Sequence, residues 1–327
     1  MNMVRLAVVG TGWQGQGHLN TMKEINEIEV VGVCDLNEEL LAKAVNKFGV
    51  KGFQNYVEML DETHPDGIII CTPPEVREFL VREAAERGIH CFIEKPPAKN
   101  LEMAKKVDEI LDRTGVINSV GFMYRYSSAV QKTKELIAGR RVALVRSAML
   151  DGLALRPNWP RWFFDKERSG GPAFDQAIHI FDLSRYLLGE VDQVTGYQDN
   201  LIVPKGEDFT IEDSFSLTMK YTNGILQNHT HTWSYPGVVT QIELISDELH
   251  VTLDLANGKV SGKVDEQEIL FEAKDEALYR LELEAFSKAI SERNPDFVLS
   301  TYKDSICSLT VALKSVEALE SNLKLNI

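Results

Sequence analysis

Gly10-Thr11-Gly12-Trp13-Gln14-Gly15 decides how this sequence folds: it spells G-x-G-x-x-G directly after the apolar run Leu6-Ala7-Val8-Val9 and opens a segment that reads as a helix. In that setting each glycine has a task. Gly10 permits a tight turn, Gly12 lets a pyrophosphate approach the backbone with no Cβ in the way, and Gly15 allows helix and strand to pack closely. The helix start offers amides and positive dipole to phosphates. Thr11, Trp13 and Gln14 complete the loop as candidate cofactor contacts. By itself such a motif also occurs as an ordinary glycine-rich turn, so its neighbours matter.

The next strand-like run ends at Asp35, where a carboxylate can accept hydrogen bonds from an adenosine ribose and repel a 2′-phosphate. No arginine follows in Leu36-Asn37-Glu38, which favours NAD over NADP.

Outward from the motif, apolar runs at Leu6-Val9, Val30-Cys34, Gly67-Cys71, Cys91-Glu94 and Val116-Val120 alternate with helical segments at Glu38-Phe48, Val76-Arg87 and Leu101-Arg113. Each helix is followed closely by a glycine, Gly49, Gly88 or Gly115, suited to a C-cap. The alternation predicts an α/β Rossmann domain, a doubly wound parallel sheet over residues 1–121. Past Gly121 come helices at Ala129-Ala138 and Gln176-Leu188. Strand-like runs follow at Val142-Met149, Gln193-Gln198, Ser214-Tyr221, Ile225-Trp233, Thr240-Ile245, His250-Leu253 and Glu266-Phe271. Helices at about Glu276-Ser291 and Tyr302-Asn322 close the chain. Residues 122–327 therefore read as an α+β domain with a mainly antiparallel open sheet, for substrate binding and oligomerisation.

The 327 residues suffice for two cores, and 44% hydrophobic with 26% charged residues is the composition of an ordinary globular protein. No apolar run approaches the roughly 20 residues of a membrane span, and the start resembles a first strand more than a leader, so a cytoplasmic location is expected. A net charge of −14 with no basic stripe argues against nucleic acid and anionic membranes as partners. Cys34, Cys71, Cys91 and Cys307 show no CxxC pairing, so neither disulfides nor structural zinc are expected.

Four further segments carry a family resemblance. Gly88-Ile89-His90-Cys91-Phe92-Ile93-Glu94-Lys95-Pro96-Pro97 resembles the Glu-Lys-Pro motif of the glucose-fructose oxidoreductase / inositol dehydrogenase / rhizopine catabolism (Gfo/Idh/MocA) family. Ile70-Cys71-Thr72-Pro73-Pro74 is similar to its Thr-Pro turn, and Gly121-Phe122-Met123-Tyr124-Arg125-Tyr126 to its domain-crossing segment. Gly170 to Asp182, with Gly171, Asp175 and His179, is similar to its Gly-Gly…Asp…His…Asp signature. Where the family often carries a histidine, five residues after the threonine of the Thr-Pro turn, this chain has Arg77, to which no role is assigned. The resemblance implies that Thr72, Pro73, Glu94 and Lys95 contact the cofactor and that Lys95, Asp175 and His179 are catalytic.

The residues can support that chemistry. A lysine ending a strand beside a cofactor cleft can donate to a substrate hydroxyl, although most lysines face solvent. Asp175 and His179, four apart, share one helix face, where an imidazole can take an alcohol proton and a carboxylate can orient it. A core histidine and a helix-capping aspartate are the bland alternative. Asp182 reads as structural. Asp175, His179 and Asp182 lack a convincing further metal ligand, so no metal is assigned. Tyr124, Arg125 and Trp162, the last in an aromatic stretch spanning Asp151 to Ser169, join Lys95, Asp175 and His179 as candidate substrate contacts. His229, His231 and Trp233 alternate onto one sheet face, expected to be a homodimer or homotetramer interface.

The resulting expectation is an NAD-dependent oxidoreductase that oxidises a secondary alcohol of a sugar, sugar derivative or cyclitol. Two alternatives stay open: an enzyme that retains NAD and cleaves glycosides through transient oxidation, and a non-catalytic dinucleotide-sensing regulator.

Overall fold

The computed structural model describes residues 3–156, 158–273 and 276–327; residues 1 and 2 at the start, 157 in the aromatic stretch, and 274 and 275 lie outside them. The chain divides into two compact units, Met1–Met123 with Ala277–Ile306, and Tyr124–Glu276 with Cys307–Ile327.

In the first unit six strands, β1 (Val4–Val9), β2 (Ile28–Cys34), β3 (Gly52–Phe53), β4 (Gly67–Ile70), β5 (His90–Ile93) and β6 (Asn118–Val120), form one sheet in the order β3-β2-β1-β4-β5-β6. Every pairing is parallel. This is the doubly wound order, with ligands expected at the carboxyl ends of the strands. β4 is buried at all of its residues, which is why it reads as an unbroken apolar run. Local chemistry fixes the helix ends. Asn37 caps Glu38–Phe48 by accepting from the Glu39 and Leu40 amides, and Gly49 stops that helix at φ 69°. Two elements escape the sequence reading, β3 and the helix Tyr56–Thr63, because a two-residue strand has no measurable period. Asn55, which caps that helix, was the available signal.

The expected boundary after residue 121 locates the first change of unit, but residues 277–306, expected in the second domain, return to the first. The reason is hydrophobic: the helix Leu278–Glu292 inserts Leu283, Phe286, Ala289 and Ile290 into the core built on Leu6, Val8, Ile69 and Phe92. A buried phenylalanine such as Phe286 contributes about 1.5–3 kcal/mol, enough to decide where an amphipathic helix docks.

The second unit holds a nine-stranded sheet of β7 (Leu144–Leu150), β8 (Val191–Asp199), β9 (Ser214–Tyr221), β10 (Leu226–Thr232), β11 (Val239–Ile245), β12 (Leu249–Asp254), β13 (Lys259–Val264), β14 (Gln267–Glu272) and β15 (Leu325–Asn326). Its pairings are antiparallel except between β7 and β10. β13 and β15 were not anticipated. β9 and β10 alternate buried and exposed residues, as a sheet with one covered face requires.

That alternation corrects one expectation. His229, His231 and Trp233 are 0%, 2% and 0% exposed, so their face is the core of the unit and not a surface for another copy. Phe181, from the helix Ile178–Leu188, meets His229 edge-on at 5.7 Å, and His231 stacks on Phe215 at 4.7 Å.

Candidate active site

The glycine loop has the geometry its spelling implies. Gly10 lies at φ 89°, and a Cβ at Gly15 would stand 1.9 Å from the Gly10 carbonyl oxygen, so helix and strand touch there. At Gly12 a Cβ would meet no atom within 4 Å: the loop faces open space at the point where a pyrophosphate needs to approach. The helix Trp13–Met22 begins at Gly12 with no side-chain cap and no acid in its first turn, which leaves its dipole and amides to an anion. Asp35, just past β2, accepts from the Thr11 amide and hydroxyl, and the Trp13 and Leu36 side chains are exposed. These residues fit a dinucleotide. Gln14 is bonded to the Tyr279 hydroxyl, a partner supplied by the returning helix.

Thr72 and Pro73 follow β4, and Glu94 and Lys95 follow β5, so all four stand at the strand ends where ligands bind. Glu94, expected to contact the cofactor, instead turns inward: it is 3% exposed, bonded to His18 Nε2 at 2.6 Å and to the Lys95 amide at 3.0 Å. Burial works to raise its pKa, but the bond from His18 and the nearby Lys95 and Arg77 charges win and hold the carboxyl below its usual range. Beside this pair lies Glu282, fully buried, with neither carboxylate oxygen hydrogen-bonded among the described residues. Burial, then the Glu94 charge, push its carboxyl well up. His18, Glu94 and Glu282 are also grouped closely enough to suggest metal ligands. The 2.6 Å between His18 and Glu94 is a hydrogen bond, shorter than the about 3 Å that separates two ligands on one ion with bonds near 2.1 Å.

Arg77 is buried, and its guanidinium donates to the carbonyls of Thr72, Glu94 and Pro96. His18, Arg77 and Glu282 were not recognised as site-building residues. For His18 a signal existed: three residues after Gly15, it lies on the helix face that meets the sheet.

In the second unit Asp175 and His179 do not share one continuous helix. Pro172–Asp175 ends at Gln176 (φ −103°), and a new helix runs over Ile178–Leu188. The break follows from the commitments around it: Gly171 at φ 82° launches the first turn, and the Gln176 side chain accepts from the Trp233 indole. His179 is 9% exposed, and Tyr124 meets its ring edge-on at 5.5 Å, with burial pushing the Tyr124 phenol up to about 12. Arg125, expected to touch substrate, is 3% exposed and grips Asp182 through two bonds of 2.8 and 2.6 Å. Ser308 donates to the same carboxylate at 2.7 Å, so Asp182 ties the helix down. Trp162 is 38% exposed and packs on Phe163 at 4.0 Å.

A dinucleotide cradle on a six-stranded parallel sheet, joined to an antiparallel α+β unit, defines the class as a Rossmann-fold oxidoreductase. Residues 4–122 match the model of the GFO_IDH_MocA oxidoreductase family, NAD-binding Rossmann fold, and residues 130–260 match that of the GFO/IDH/MocA C-terminal domain; the chain belongs to this family. It is 27% identical over 340 aligned positions to scyllo-inositol 2-dehydrogenase (NAD(+)) of Bacillus subtilis, covering 100% of this chain and 97% of the relative. It is also 28% identical to myo-inositol 2-dehydrogenase of Thermotoga maritima over 57% of this chain and 55% of that one. Levoglucosan dehydrogenase, solved in complex with NADH and levoglucosan, has the same fold, with TM-score 0.88, 20% identity and full coverage of both chains.

Proposed function

We propose that this chain is an NAD-dependent dehydrogenase that oxidises a secondary alcohol of a sugar, sugar derivative or cyclitol. The observation that carries the reading is the open space at Gly12 between an uncapped helix start and the Asp35 carboxylate, in a chain of an oxidoreductase family. The relatives named for inositol support a polyol as substrate.

NAD, when bound, supplies the hydride acceptor. Gly10 to Gly15 would hold its phosphates, and Asp35 would accept from its ribose. Lys95, on the turn after β5, donates to the substrate hydroxyl and fixes its direction. His179 takes the proton from that hydroxyl as hydride leaves the carbon, and Asp175 favours the imidazolium that forms. Tyr124 braces the His179 ring, and Trp162 offers an apolar face to sugar C–H groups.

The reading includes a cytoplasmic enzyme that assembles as a homodimer or homotetramer through the second sheet. With the histidine face buried, the side available is the one carrying Arg146, Thr218, Asn228 and Thr230. Among the described residues no helix is long and apolar enough to cross a membrane.

The test is turnover of a panel of cyclitols, aldoses and glycosides. Net NADH accumulation in step with oxidised product is expected. Turnover without net NADH would overturn the reading.

A further inference from the structure

The parallel ladder between β4 and β5 ends at the pair Ile70 and Ile93, with one further bond from the Glu94 amide to the Ile70 carbonyl. Beyond that point the two strand ends carry the Thr72–Pro73 turn and the Glu94–Lys95–Pro96 turn. Arg77 fills the gap. Its Nε and Nη2 donate to the Thr72 carbonyl at 3.0 and 2.7 Å, and its Nη1 donates to the carbonyls of both Glu94 and Pro96. Those two carbonyls flank Lys95, whose own amide is held by the Glu94 carboxylate at 3.0 Å.

We propose that Arg77 is a positioning residue for hydride transfer: it joins the two turns into one rigid piece and so fixes the main chain from which the Lys95 ammonium reaches its substrate hydroxyl. The inference rests on the role of Lys95 in the proposed reaction. A planar fork of donors suits this task, since three carbonyls in different directions need several N–H groups held in fixed relation. Lysine offers the charge without the fork, and a neutral imidazole has one N–H to share among three acceptors. The side chain is 3% exposed, so a surface role for its charge is excluded.

Arg77→Lys and Arg77→His, the second in case the first does not fold, test the proposal, each measured by thermal unfolding, by KM for NAD and by kcat at saturating NAD. Misplacement of a reacting group by about 1 Å costs up to about a hundredfold. The expected result is a kcat loss of about tenfold to a hundredfold in protein that is still folded and NAD-saturated, with KM for NAD changed by less than about threefold. Because Arg77 acts through Lys95, adding Arg77→Lys to Lys95→Met should cost less than about threefold more. A kcat equal to wild type in a folded variant, or losses that multiply in the double variant, would overturn the proposal. Crystal structures of wild type and variant give a readout free of turnover. The Lys95 Cα is expected to shift relative to β5, and an unmoved Lys95 overturns the positioning role. If wild type oxidises no polyol, the dehydrogenase reading fails while the Lys95 shift still decides whether Arg77 positions it.

Discussion

Thr11 donates both its amide and its hydroxyl to one oxygen of Asp35, Oδ2, at 2.7 and 3.0 Å. The other oxygen, Oδ1, accepts from the Asn37 amide at 2.8 Å. The carboxylate proposed to read the ribose is thereby fastened to the loop proposed to receive the phosphates. Oδ1, with a single donor, can still accept a ribose hydroxyl, whereas a 2′-phosphate would face a fixed negative charge.

Nucleotide choice follows from that charge. Wild type is expected to prefer NAD to NADP by at least about tenfold in kcat/KM, the ratio that one difference of about 1.4 kcal/mol produces. Asp35→Ser with Leu36→Arg should narrow or reverse the ratio, mainly through KM. Equal use of both nucleotides by wild type would contradict this role for Asp35.

Removing the proposed proton and hydroxyl contacts should affect rate more than cofactor affinity. Lys95→Met and His179→Ala are each expected to lower kcat by about a hundredfold to ten-thousandfold. NAD affinity, followed by fluorescence titration, should move by less than about threefold, since the glycine loop and Asp35 are untouched. Unchanged turnover in both variants would remove these residues from the mechanism.

Arg125 and Asp182 predict the opposite pattern. Both are buried, and taking away one partner leaves the other charge uncompensated, which costs about 3–5 kcal/mol. Arg125→Met should therefore lower the denaturant midpoint strongly while leaving the KM for substrate of the folded fraction near that of wild type. A large KM change without loss of stability would return Arg125 to the substrate site.

The buried histidine face makes stability depend on pH. Burial pulls His229 down to about 3 and His231 well below its usual value, so both are neutral in the folded protein at pH 6. Unfolded histidines bind a proton below about pH 6.5. Stability is thus present in full above that pH and is lost as pH falls toward 3, by up to about 1.4 kcal/mol per pH unit for each histidine. Glu282 acts at the other end: its raised pKa means that folded protein holds a proton which the unfolded chain releases, so stability falls as pH rises above about 4.5. A double variant His229→Gln, His231→Gln should flatten the acid side of a Tm-against-pH curve, and Glu282→Gln the alkaline side. Curves parallel to wild type would show that these groups are not the source.

The parallel sheet was legible because its strands carry apolar runs, unbroken in β4, and because the helices Glu38–Phe48 and Leu101–Thr114 end on Gly49 and Gly115. Ser214–Tyr221 was read with both ends correct, since its alternation is strict. The return of Leu278–Glu292 to the first unit was not legible, because an amphipathic stripe says that a helix docks and not where. The histidines of β10 were misread for a related reason. Alternation places residues on one face, but whether that face meets water or a helix depends on Ile178–Leu188, whose position no local pattern reports. Arg77 carried no assigned role and Glu94 was expected at the cofactor, and long-range contacts that no local pattern reports bury both.

Hydride transfer is the central claim, and deuterium tests it most directly. A polyol carrying deuterium at the oxidised carbon, turned over with NAD, should deliver the label to the nicotinamide ring, detected by mass spectrometry of the reduced cofactor. Label released to solvent, with none in the cofactor, would contradict the account.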